Sequence, residues 1–357
     1  MAISSISNCR VAGVAAAIPE ASAGLEELAA CAGSAENAEK IAASTGVRRR
    51  RIAPPSLCAS DLCERAAVAL LEALAWPRDT IDLLAVVTQT PDYVQPATSC
   101  VLHGRLGLPK SAAALDVNLG CSGYVYGLWT TMSLLSGMGR GRALLLAGDT
   151  MSRLVSPMDR TTAPIFGDAG SATAIEFAPG AGAAHFNLGT DGRGWLHLMV
   201  PAGGFRRPKT TETGVRVQDA DGNWRCDEDF RMNGLEVFAF TMREVPPMIR
   251  QVVEASGLGM EGIDRFVLHQ ANEFILRNLA RKIGIPEPKL ALAMSDYGNT
   301  SCASIPLTLA DAAGRRPDAA VGPVVLAGFG VGLSWGAVQL DLSAARILPP
   351  VAVSAAT

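Results

Sequence analysis

The sequence has almost no net charge, few aromatic residues and no long apolar run. Lys and Arg total 31 and Asp and Glu total 34, which gives a formal charge of −3. This balance excludes a protein that binds nucleic acid through bulk positive charge, and it excludes a polybasic membrane anchor. Because no long stretch is both uncharged and apolar, the sequence predicts no membrane-spanning helix. Met1 to Pro19 holds one Arg and only short apolar runs, so we expect no targeting leader.

Motifs for metal ions, disulfides and nucleotides are also missing. The four histidines have no partner four residues away, and no Cys-x-x-Cys pair occurs. The eight cysteines are scattered, which is typical of reduced thiols in a cytoplasmic protein with a large core. The run from Gly328 to Gly332 lacks the last glycine of a dinucleotide fingerprint, because Leu333 stands there. We therefore expect neither a metal site nor a nucleotide-binding loop.

Short apolar strands alternate with helices rich in Ala and Leu, which predicts an α/β fold. In the first half we expect strands and helices at Ala66–Ala75, Ile81–Thr88, Cys121–Leu135, Arg142–Gly148 and Ser171–Phe177. In the second half we expect them at Met248–Ser256, Ile263–His269, Ile305–Ala313, Pro323–Gly328 and Ala337–Leu342.

The second half repeats the first at a nearly constant offset of roughly 180 residues, which indicates an internal duplication. Cys121 corresponds to Cys302 under this offset, so the same helix start occurs twice. Val200 to Arg231 is different, because its glycines, charges and Thr pairs predict a long surface excursion. Further equivalent positions are Ile81-Asp82 with Ile263-Asp264, and Leu146-Ala147-Gly148 with Leu326-Ala327-Gly328.

Cys121 is the first candidate for chemistry. A strand-like Ala-Leu-Asp-Val run leads through a glycine-flanked turn at this cysteine into an apolar helix. The positive end of the helix dipole would stabilise a thiolate there and make it a nucleophile. Gly120 and Gly123 would let the backbone turn sharply and let an acyl group approach. The alternative is a buried cysteine that serves only as a small apolar residue.

His269 and Asn299 are the other two candidates. His269 ends a predicted strand, where the sites of α/β proteins gather, although a structural histidine would also fit. Asn299 follows Tyr297-Gly298 and could simply cap a turn. Cys121 and these two residues fall at strand ends or helix starts of the two halves. Folding the repeat about its two-fold would bring them together as a Cys-His-Asn set, which is suited to acyl transfer through a thioester.

An ordered series of motifs runs nearly from end to end of the chain. Its members are Ser44-Thr-Gly-Val-Arg48, Pro96-Ala-Thr-Ser99, Asp116-Val-Asn-Leu-Gly-Cys121-Ser-Gly123, Asp159-Arg160, Phe166-Gly-Asp168, His269-Gln-Ala-Asn272, Tyr297-Gly-Asn299-Thr-Ser301, and Gly328-Phe-Gly-Val-Gly332 with Ser334-Trp335-Gly336. The series resembles the thiolase superfamily and, within it, β-ketoacyl-acyl-carrier-protein synthase III.

The resemblance implies a thiolase-like α/β fold. Two duplicated βαβαβαββ halves would pack as a five-layer αβαβα sandwich. Residues 1–180 would carry the nucleophile, and residues 181–357 would carry the His and Asn. The family also implies a homodimer. The apolar strand at residues 114–118 would pair with its copy across a two-fold axis, so that the two subunits share one continuous sheet.

The resemblance also implies a two-stage reaction. Cys121 would attack an acyl thioester, with the backbone N–H groups of Cys121 and Val331 forming the oxyanion hole. His269 and Asn299 would then hold the thioester carbonyl of a malonyl-carrier donor and stabilise the enolate formed as CO₂ leaves. The substrates would be acyl-CoA or acyl-carrier thioesters and a malonyl-carrier thioester, and no cofactor is expected.

Several positions depart from the family pattern. Lys40 and Ser44 stand where the family often has a Trp and an Arg that hold the adenine of coenzyme A. Leu235 replaces an Asn that contacts pantetheine, and Val331 replaces the central Gly of the glycine-rich loop. Gln95 stands in the acyl pocket where one subunit lends its partner a bulky aromatic residue. The chemistry is therefore expected to be intact, while the coenzyme A contacts and the acyl pocket are altered.

A basic helix face follows His269. Arg277, Arg281 and Lys282 form either an ordinary solvated surface or, as in the family, a docking site for an acidic acyl carrier protein. Two other functions remain open. A related acyltransferase would keep Cys121 but pass the acyl group to an alcohol or amine, and the His-Asn pair argues against it. A non-catalytic partner subunit would have lost the nucleophile, so Cys121 argues against that reading.

Overall fold

The computed structural model describes residues 3–316 and 321–354. Its helices are α1 (Leu25–Ala32), α2 (Ala35–Thr45), α3 (Ala59–Leu74), α4 (Thr98–Arg105), α5 (Gly123–Met138), α6 (Gly234–Ser256), α7 (Glu273–Ile283), α8 (Met294–Tyr297) and α9 (Ser304–Arg315). Its strands are β1 (Ile3–Ile6), β2 (Cys9–Pro19), β3 (Ser22–Ala23), β4 (Arg50–Arg51), β5 (Leu83–Val87), β6 (Ala113–Val117), β7 (Arg142–Thr150), β8 (Asp168–Phe177), β9 (Ala184–Thr190), β10 (Leu198–Met199), β11 (Val217–Gln218), β12 (Trp224–Arg225), β13 (Arg231–Met232), β14 (Arg265–Leu268), β15 (Pro323–Gly330), β16 (Ser334–Asp341), β17 (Arg346–Ile347) and β18 (Val351–Val353).

Two mixed sheets organise these elements. The first has the order β17-β2-β8-β7-β5-β6, with β18 also pairing with β2. In it β5 runs parallel to β6 and β7, and β8 runs antiparallel to β2 and β7. The second sheet has the order β1-β9-β16-β15-β14, with β14 parallel to β15. The carboxyl ends of the parallel strands β6 and β14 therefore lead directly into the segments that hold Cys121 and His269.

The sheets are the second and fourth of five layers. The helices α5 and α9 lie between them and bury apolar residues against both sheets. Helix α3 covers the outer face of the first sheet, and α6 with α7 covers the outer face of the second. The predicted αβαβα sandwich is confirmed. No helix in the described ranges is both long and apolar enough to cross a bilayer.

The internal duplication is visible in the element order. The series β2-α3-β5-α4-β6-α5-β7-β8 in the first half is matched by β9-α6-β14-α7-α9-β15-β16 in the second. The strand equivalent to β6 is reduced to a single bridge between Phe266 and Leu290. Cys121 and Cys302 each stand two residues before their helices, α5 and α9, as the offset predicted.

The chain termini cross between the halves. β1 pairs with β9 in the second sheet, while β17 and β18 pair with β2 in the first. A division at residues 1–180 and 181–357 therefore describes the duplication, and as a domain boundary it stays a prediction.

Most of the expected elements are present, with shifted ends. The largest error concerns α6, which begins at Gly234, not near Met248. Pro246 and Pro247 lie inside this helix, where prolines normally end a helix, and the buried face of α6 compensates for the lost backbone hydrogen bonds.

As predicted, residues 200–231 hold only short strands. Arg225 anchors them with a two-pronged ion pair to the fully buried Asp159, at 2.7 and 2.9 Å.

Candidate active site

Cys121, His269 and Asn299 border one narrow cavity of about 50 Å³. Cys121 lies in the turn between β6 and α5, His269 directly follows β14, and Asn299 lies between α8 and α9. The structure thus brings together the three residues that the sequence placed in different halves. The remaining wall is mostly apolar and comprises Ile165, Phe166, Leu198, Phe230, Met232, Val237, Thr241, Ala271, Asn272, Ile275, Phe329 and Gly330.

The nucleophile candidate fits against a glycine. A Cβ atom built on Gly330 would lie 2.8 Å from the Cys121 Sγ, so no larger residue could stand there without displacing the thiol. Burial raises the pKa of the Cys121 thiol to about 11, although the backbone N–H groups of Val331 and Cys121 and the Ser301 hydroxyl act to lower it. This corrects the expectation of a thiolate stabilised at the helix start. The resting thiol is protonated because desolvation outweighs those donors.

The loop that carries Val331 is fixed by two hydroxyl groups. The Ser334 Oγ donates to the Val331 carbonyl at 2.6 Å, and the Ser122 Oγ lies 2.6 Å from the Ser334 Oγ. Since the Ser334 proton is used on the carbonyl, Ser122 is the donor in the second contact. The turn after the nucleophile is thereby tied to the loop whose N–H group faces the thiol. This geometry is compatible with the predicted oxyanion hole at Cys121 and Val331.

His269 is held as a neutral ring. Its Nδ1 lies 2.7 Å from the Ser304 Oγ, which in turn accepts from the Gln270 backbone N–H at 3.4 Å. We assign the Ser304 proton to Nδ1, which places the ring proton on Nε2, the tautomer that the proposed reaction requires. His269 is 2% exposed, and burial lowers its pKa from 6.5 to about 4. The ring is therefore a hydrogen-bond donor near neutral pH and carries no charge.

The amide of Asn299 is oriented by its own backbone neighbours. Its Oδ1 accepts the Ser301 backbone N–H at 3.0 Å, which leaves the Nδ2 group as the donor on the cavity side. The Asn299 backbone N–H donates to the Ile165 carbonyl at 2.8 Å, and the Asn299 carbonyl accepts from Gly167 at 3.1 Å. The backbone of Asn299, in the second half, is thus bound to the loop between β7 and β8 of the first half.

The other predicted site residues lie outside this cavity. Gln95 is exposed and does not border the cavity of its own chain, so its role in a partner's acyl pocket stays a prediction. Lys40 pairs with Glu36 at 2.7 Å on the exposed face of α2. The Ser44 hydroxyl donates to the Ile41 carbonyl of the same helix. Neither residue presents a ring or a guanidinium group in place of the missing coenzyme A contacts.

The three basic residues on α7 differ from one another. Arg277 is paired with Glu273 at 2.6 Å and with Glu287 at 2.9 Å, so its charge is offset locally. Among the described residues, the Arg281 guanidinium donates only to the neutral Asn278 side chain, at 3.4 Å. The Lys282 ammonium donates to the Met242 carbonyl at 2.9 Å. Docking through these residues stays a prediction, and Arg281 and Lys282 are the two whose charge is not balanced by a carboxylate partner in the described ranges.

Sequence reasoning did not anticipate several residues around the site. Ser304, which orients His269, could have been suspected because it is the first residue of α9. The Thr241 hydroxyl on the cavity wall is buried and has no hydrogen-bond partner among the described residues, and no motif marks it. Leu235 is 84% exposed and Phe274 58%, although both are apolar. Leu235, which replaces the family's Asn, lines a surface pocket that shares Met232 with the cavity.

Comparison with known proteins agrees with this geometry. Residues 115–192 match the family 3-Oxoacyl-[acyl-carrier-protein (ACP)] synthase III, and residues 253–342 match its C-terminal counterpart. The Beta-ketoacyl-[acyl-carrier-protein] synthase III of Desulfitobacterium hafniense is 36% identical over 309 residues, covering 86% of this chain and 90% of that protein. The corresponding protein of Rhodopirellula baltica is 35% identical and covers 92% of this chain and 96% of its own length.

Solved structures give the same result. The 3-oxoacyl-(acyl-carrier protein) synthase of Burkholderia xenovorans superposes with a TM-score of 0.91 at 38% identity, covering 99% of both chains. With matches of this extent in sequence and in structure, and with Cys, His and Asn on one cavity, the chain belongs to the 3-oxoacyl-[acyl-carrier-protein] synthase III family and is a condensing acyltransferase.

Proposed function

We propose that the protein transfers an acyl group from a thioester to Cys121 and then condenses it with a malonyl group carried on an acyl carrier protein. The observation that carries this proposal is the meeting of one thiol and two neutral donors, His269 and Asn299, at the base of an apolar cavity. A thiol alone would serve simple acyl transfer. The two additional donors suit a second oxyanion, which forms only when a donor thioester is decarboxylated.

In the first step Cys121 attacks the carbonyl carbon of the acyl thioester. A bond forms between this carbon and the cysteine sulfur, and the bond to the donor's sulfur breaks. The Cys121 proton ends on the departing thiolate, so the donor leaves as a free thiol. The backbone N–H groups of Cys121 and Val331 would stabilise the tetrahedral oxyanion, since both already act on the sulfur.

In the second step the malonyl thioester enters with its carbonyl oxygen between His269 and Asn299. Loss of CO₂ leaves its electron pair on the enolate, whose oxygen is stabilised by the Nε2 and Nδ2 donors. The enolate carbon then attacks the acyl carbonyl on Cys121, and the cysteine sulfur leaves and takes up one proton. The products are CO₂, a 3-oxoacyl thioester and the free enzyme. The apolar wall strengthens both hydrogen bonds by excluding water.

A carrier protein is the proposed acyl donor as well as the malonyl donor. Its thioester needs no adenine contact, which suits a chain with Lys40 and Ser44 on an exposed helix. The exposed Leu235 lines the surface pocket next to the cavity and offers an apolar contact, and Arg281 and Lys282 offer positive charge to an acidic partner.

The protein is proposed to act as a homodimer. Strand β6 is the edge of the first sheet and pairs only with β5 within the described ranges. An unpaired edge strand is a template for pairing with a second copy, and a two-fold axis there would join the two first sheets. Light scattering should give a dimer at micromolar concentration, and a stable monomer would contradict this arrangement.

We also propose that the protein resides in the cytoplasm and needs no cofactor. All eight cysteines are free thiols, which suits a reducing compartment. The chain's own thiol, imidazole and amide supply the nucleophile and the donors, so neither step calls on a metal ion or a prosthetic group. Activity is expected to survive dialysis against a chelator, and a loss restored by an added metal ion would overturn this part.

The test begins with intact-mass measurement after incubation with a panel of acyl-carrier and acyl-CoA thioesters. The expected result is a single acyl adduct, located on the Cys121 peptide and formed faster from the carrier thioester. Cys121→Ser serves as the control, because it removes the thiol with little change in volume. An adduct on another cysteine, or discharge of the acyl group to an alcohol or amine without CO₂ release, would contradict the proposal.

A further inference from the structure

Thr241 carries a hydroxyl that has no hydrogen-bond partner among the described residues. The residue is fully buried and borders the cavity that holds the candidate nucleophile. A threonine inside a helix can donate to the carbonyl four residues earlier. Thr45 and Thr308 do so, at 2.8 and 2.7 Å, but the Thr241 hydroxyl makes no such bond to Val237. Its hydrogen-bonding capacity is therefore left for a ligand.

This hydroxyl has a cost for the free protein. It has lost contact with water and gained no partner, which destabilises the fold. Valine has nearly the same shape as threonine and would fill the position without that cost. Val237, one helical turn earlier on the same face of α6, borders the same cavity and is apolar. The single hydroxyl on this face therefore calls for a functional explanation.

The other buried donors of the cavity already have a role. Under the proposed function, His269 and Asn299 bind the thioester carbonyl of the malonyl donor. The Asn272 side chain is partly exposed, and its Oδ1 caps α7 by accepting the Ile275 backbone N–H at 2.8 Å. None of the described residues that border the cavity is a lysine or an arginine. Thr241 is thus the fully buried donor that has no assigned partner.

The malonyl donor brings one group that an ordinary acyl donor lacks, a carboxylate. In an apolar cavity a single neutral hydroxyl can orient this group but cannot offset its charge. When the bond between the carboxylate carbon and its neighbour breaks, the electron pair passes into the enolate and the carboxylate leaves as CO₂. The negative charge then moves from a group with one donor to an oxygen with two. This difference favours the transition state over the bound substrate.

We propose that the Thr241 hydroxyl donates to the carboxylate of the malonyl donor and so selects this donor over one that carries a simple acyl group. This role rests on the proposed condensation, in which His269 and Asn299 bind the carbonyl of the same substrate. Thr241 would bind the group that departs as CO₂. The free enzyme bears the cost of the unpaired hydroxyl, and a donor with a carboxylate removes it.

The test compares the binding of a malonyl-carrier protein and an acetyl-carrier protein, each joined through an amide in place of the thioester. An amide resists both acyl transfer and decarboxylation, so the wild-type enzyme can be used. The ligands differ only in the carboxylate, and the ratio of their dissociation constants reports its recognition. Thr241→Val should lower the preference for the malonyl ligand about tenfold, because a hydrogen bond to a charged group is lost. Thr241→Ser keeps the hydroxyl and should retain the preference.

Thr131→Val is the matched control. Thr131 is also a fully buried helical threonine whose hydroxyl has no partner among the described residues, but it lies on α5 and does not border this cavity. Both valine variants should raise the urea midpoint of unfolding, since each removes an unpaired buried hydroxyl. Only Thr241→Val should change the preference for the malonyl ligand.

Three results would overturn the proposal. The first is no preference in the wild type, or one that Thr241→Val leaves unchanged, as expected if the hydroxyl only holds a water molecule. The second is equal weakening of both ligands, because the hydroxyl would then contact the arm that they share. The third is a lower unfolding midpoint in Thr241→Val, which would show that the hydroxyl is already paired. Condensation is judged separately, by CO₂ release from the thioester, so its failure is distinguishable from these results.

Discussion

Cys121 and Cys302 occupy equivalent positions in the two halves but have different surroundings. Each stands two residues before a central helix, and each is buried. Cys121 borders the cavity and faces the short turn between β15 and β16, where Gly330 makes room for its sulfur. The Cys302 thiol instead donates to the Val87 carbonyl at 3.4 Å, and burial raises its pKa well above the ordinary value. The duplication thus places a cysteine before the central helix in both halves. Whether its thiol can react depends on the segment that packs against it.

The largest effect is expected when each of these two cysteines is replaced in turn. Cys121→Ala should lower product formation by about 10³-fold or more, because no other group can take over a covalent step. Cys302→Ala should leave acylation within a few-fold of wild type and lower the free energy of unfolding by about 1 kcal/mol. The measurements are steady-state product formation and denaturant unfolding. Equal losses of activity in both variants would contradict the assignment of Cys121 alone as the nucleophile.

The next effect separates the chemistry of the two halves. His269→Ala should still allow acylation of Cys121 but should slow CO₂ release from a malonyl-carrier thioester by about 10²- to 10³-fold, the usual result of removing an oxyanion donor. Asn299→Asp should behave similarly, since it keeps an acceptor for the Ser301 N–H but loses the amide donor. Acylation followed by mass and CO₂ release are measured on the same sample. Full CO₂ release in both variants would show that this pair does not stabilise the enolate.

A third prediction concerns pH and the buried ring. Because the pKa of His269 is about 4 when folded and 6.5 ordinarily, the unfolded chain binds more protons between these values. Stability therefore falls as the pH drops from 6.5 to 4, and this residue contributes a loss of about 3 kcal/mol. Urea unfolding of the wild type should show this loss relative to His269→Gln, which cannot titrate. Parallel pH curves for the two proteins would contradict the neutral ring.

The smallest effect compares two arginines four residues apart on α7. Arg281→Glu should lower kcat/KM for a carrier substrate by about threefold to tenfold through the association rate, and added salt should reduce the difference. Arg277→Glu should do less, because Arg277 already faces Glu273 and Glu287. The matched acyl-CoA substrate is the control and should be unaffected by either change. A larger effect at Arg277 would indicate that its ion pairs open when the carrier docks.

Much of the fold could be predicted because the same order of strands and helices occurs twice in the sequence. The repeated strand and helix landmarks predicted a duplicated α/β unit, and the resemblance to the thiolase superfamily implied the two sheets and the five layers. The predicted helix was shorter than α6 because prolines such as Pro246 and Pro247 end helices when only local chain geometry is considered. In the structure, the burial of the helix holds them in place. The crossing of β1 into the second sheet was not predictable either, because strand pairing between distant segments leaves little local signal.

The candidate site could likewise be predicted only in part. Cys121, His269 and Asn299 could be found because each stands in a distinctive run at a strand end or helix start. The contacts that set their protonation could not be found. Ser304 contacts His269 across 35 residues of sequence, and Ser122, next to Cys121, contacts Ser334 across 212. The protonated state of Cys121 also followed only from its burial, which competes with the helix position that the sequence displays.

Decarboxylative condensation is tested most directly by one turnover of enzyme that has been acylated on Cys121 and freed of donor. After addition of one equivalent of malonyl-carrier thioester, the loss of the acyl mass from Cys121 and the release of CO₂ are followed on the same sample. Both should occur at one rate and in equal amounts, with a 3-oxoacyl-carrier product. Loss of the acyl group without CO₂, or CO₂ release that leaves the acyl group on Cys121, would contradict it.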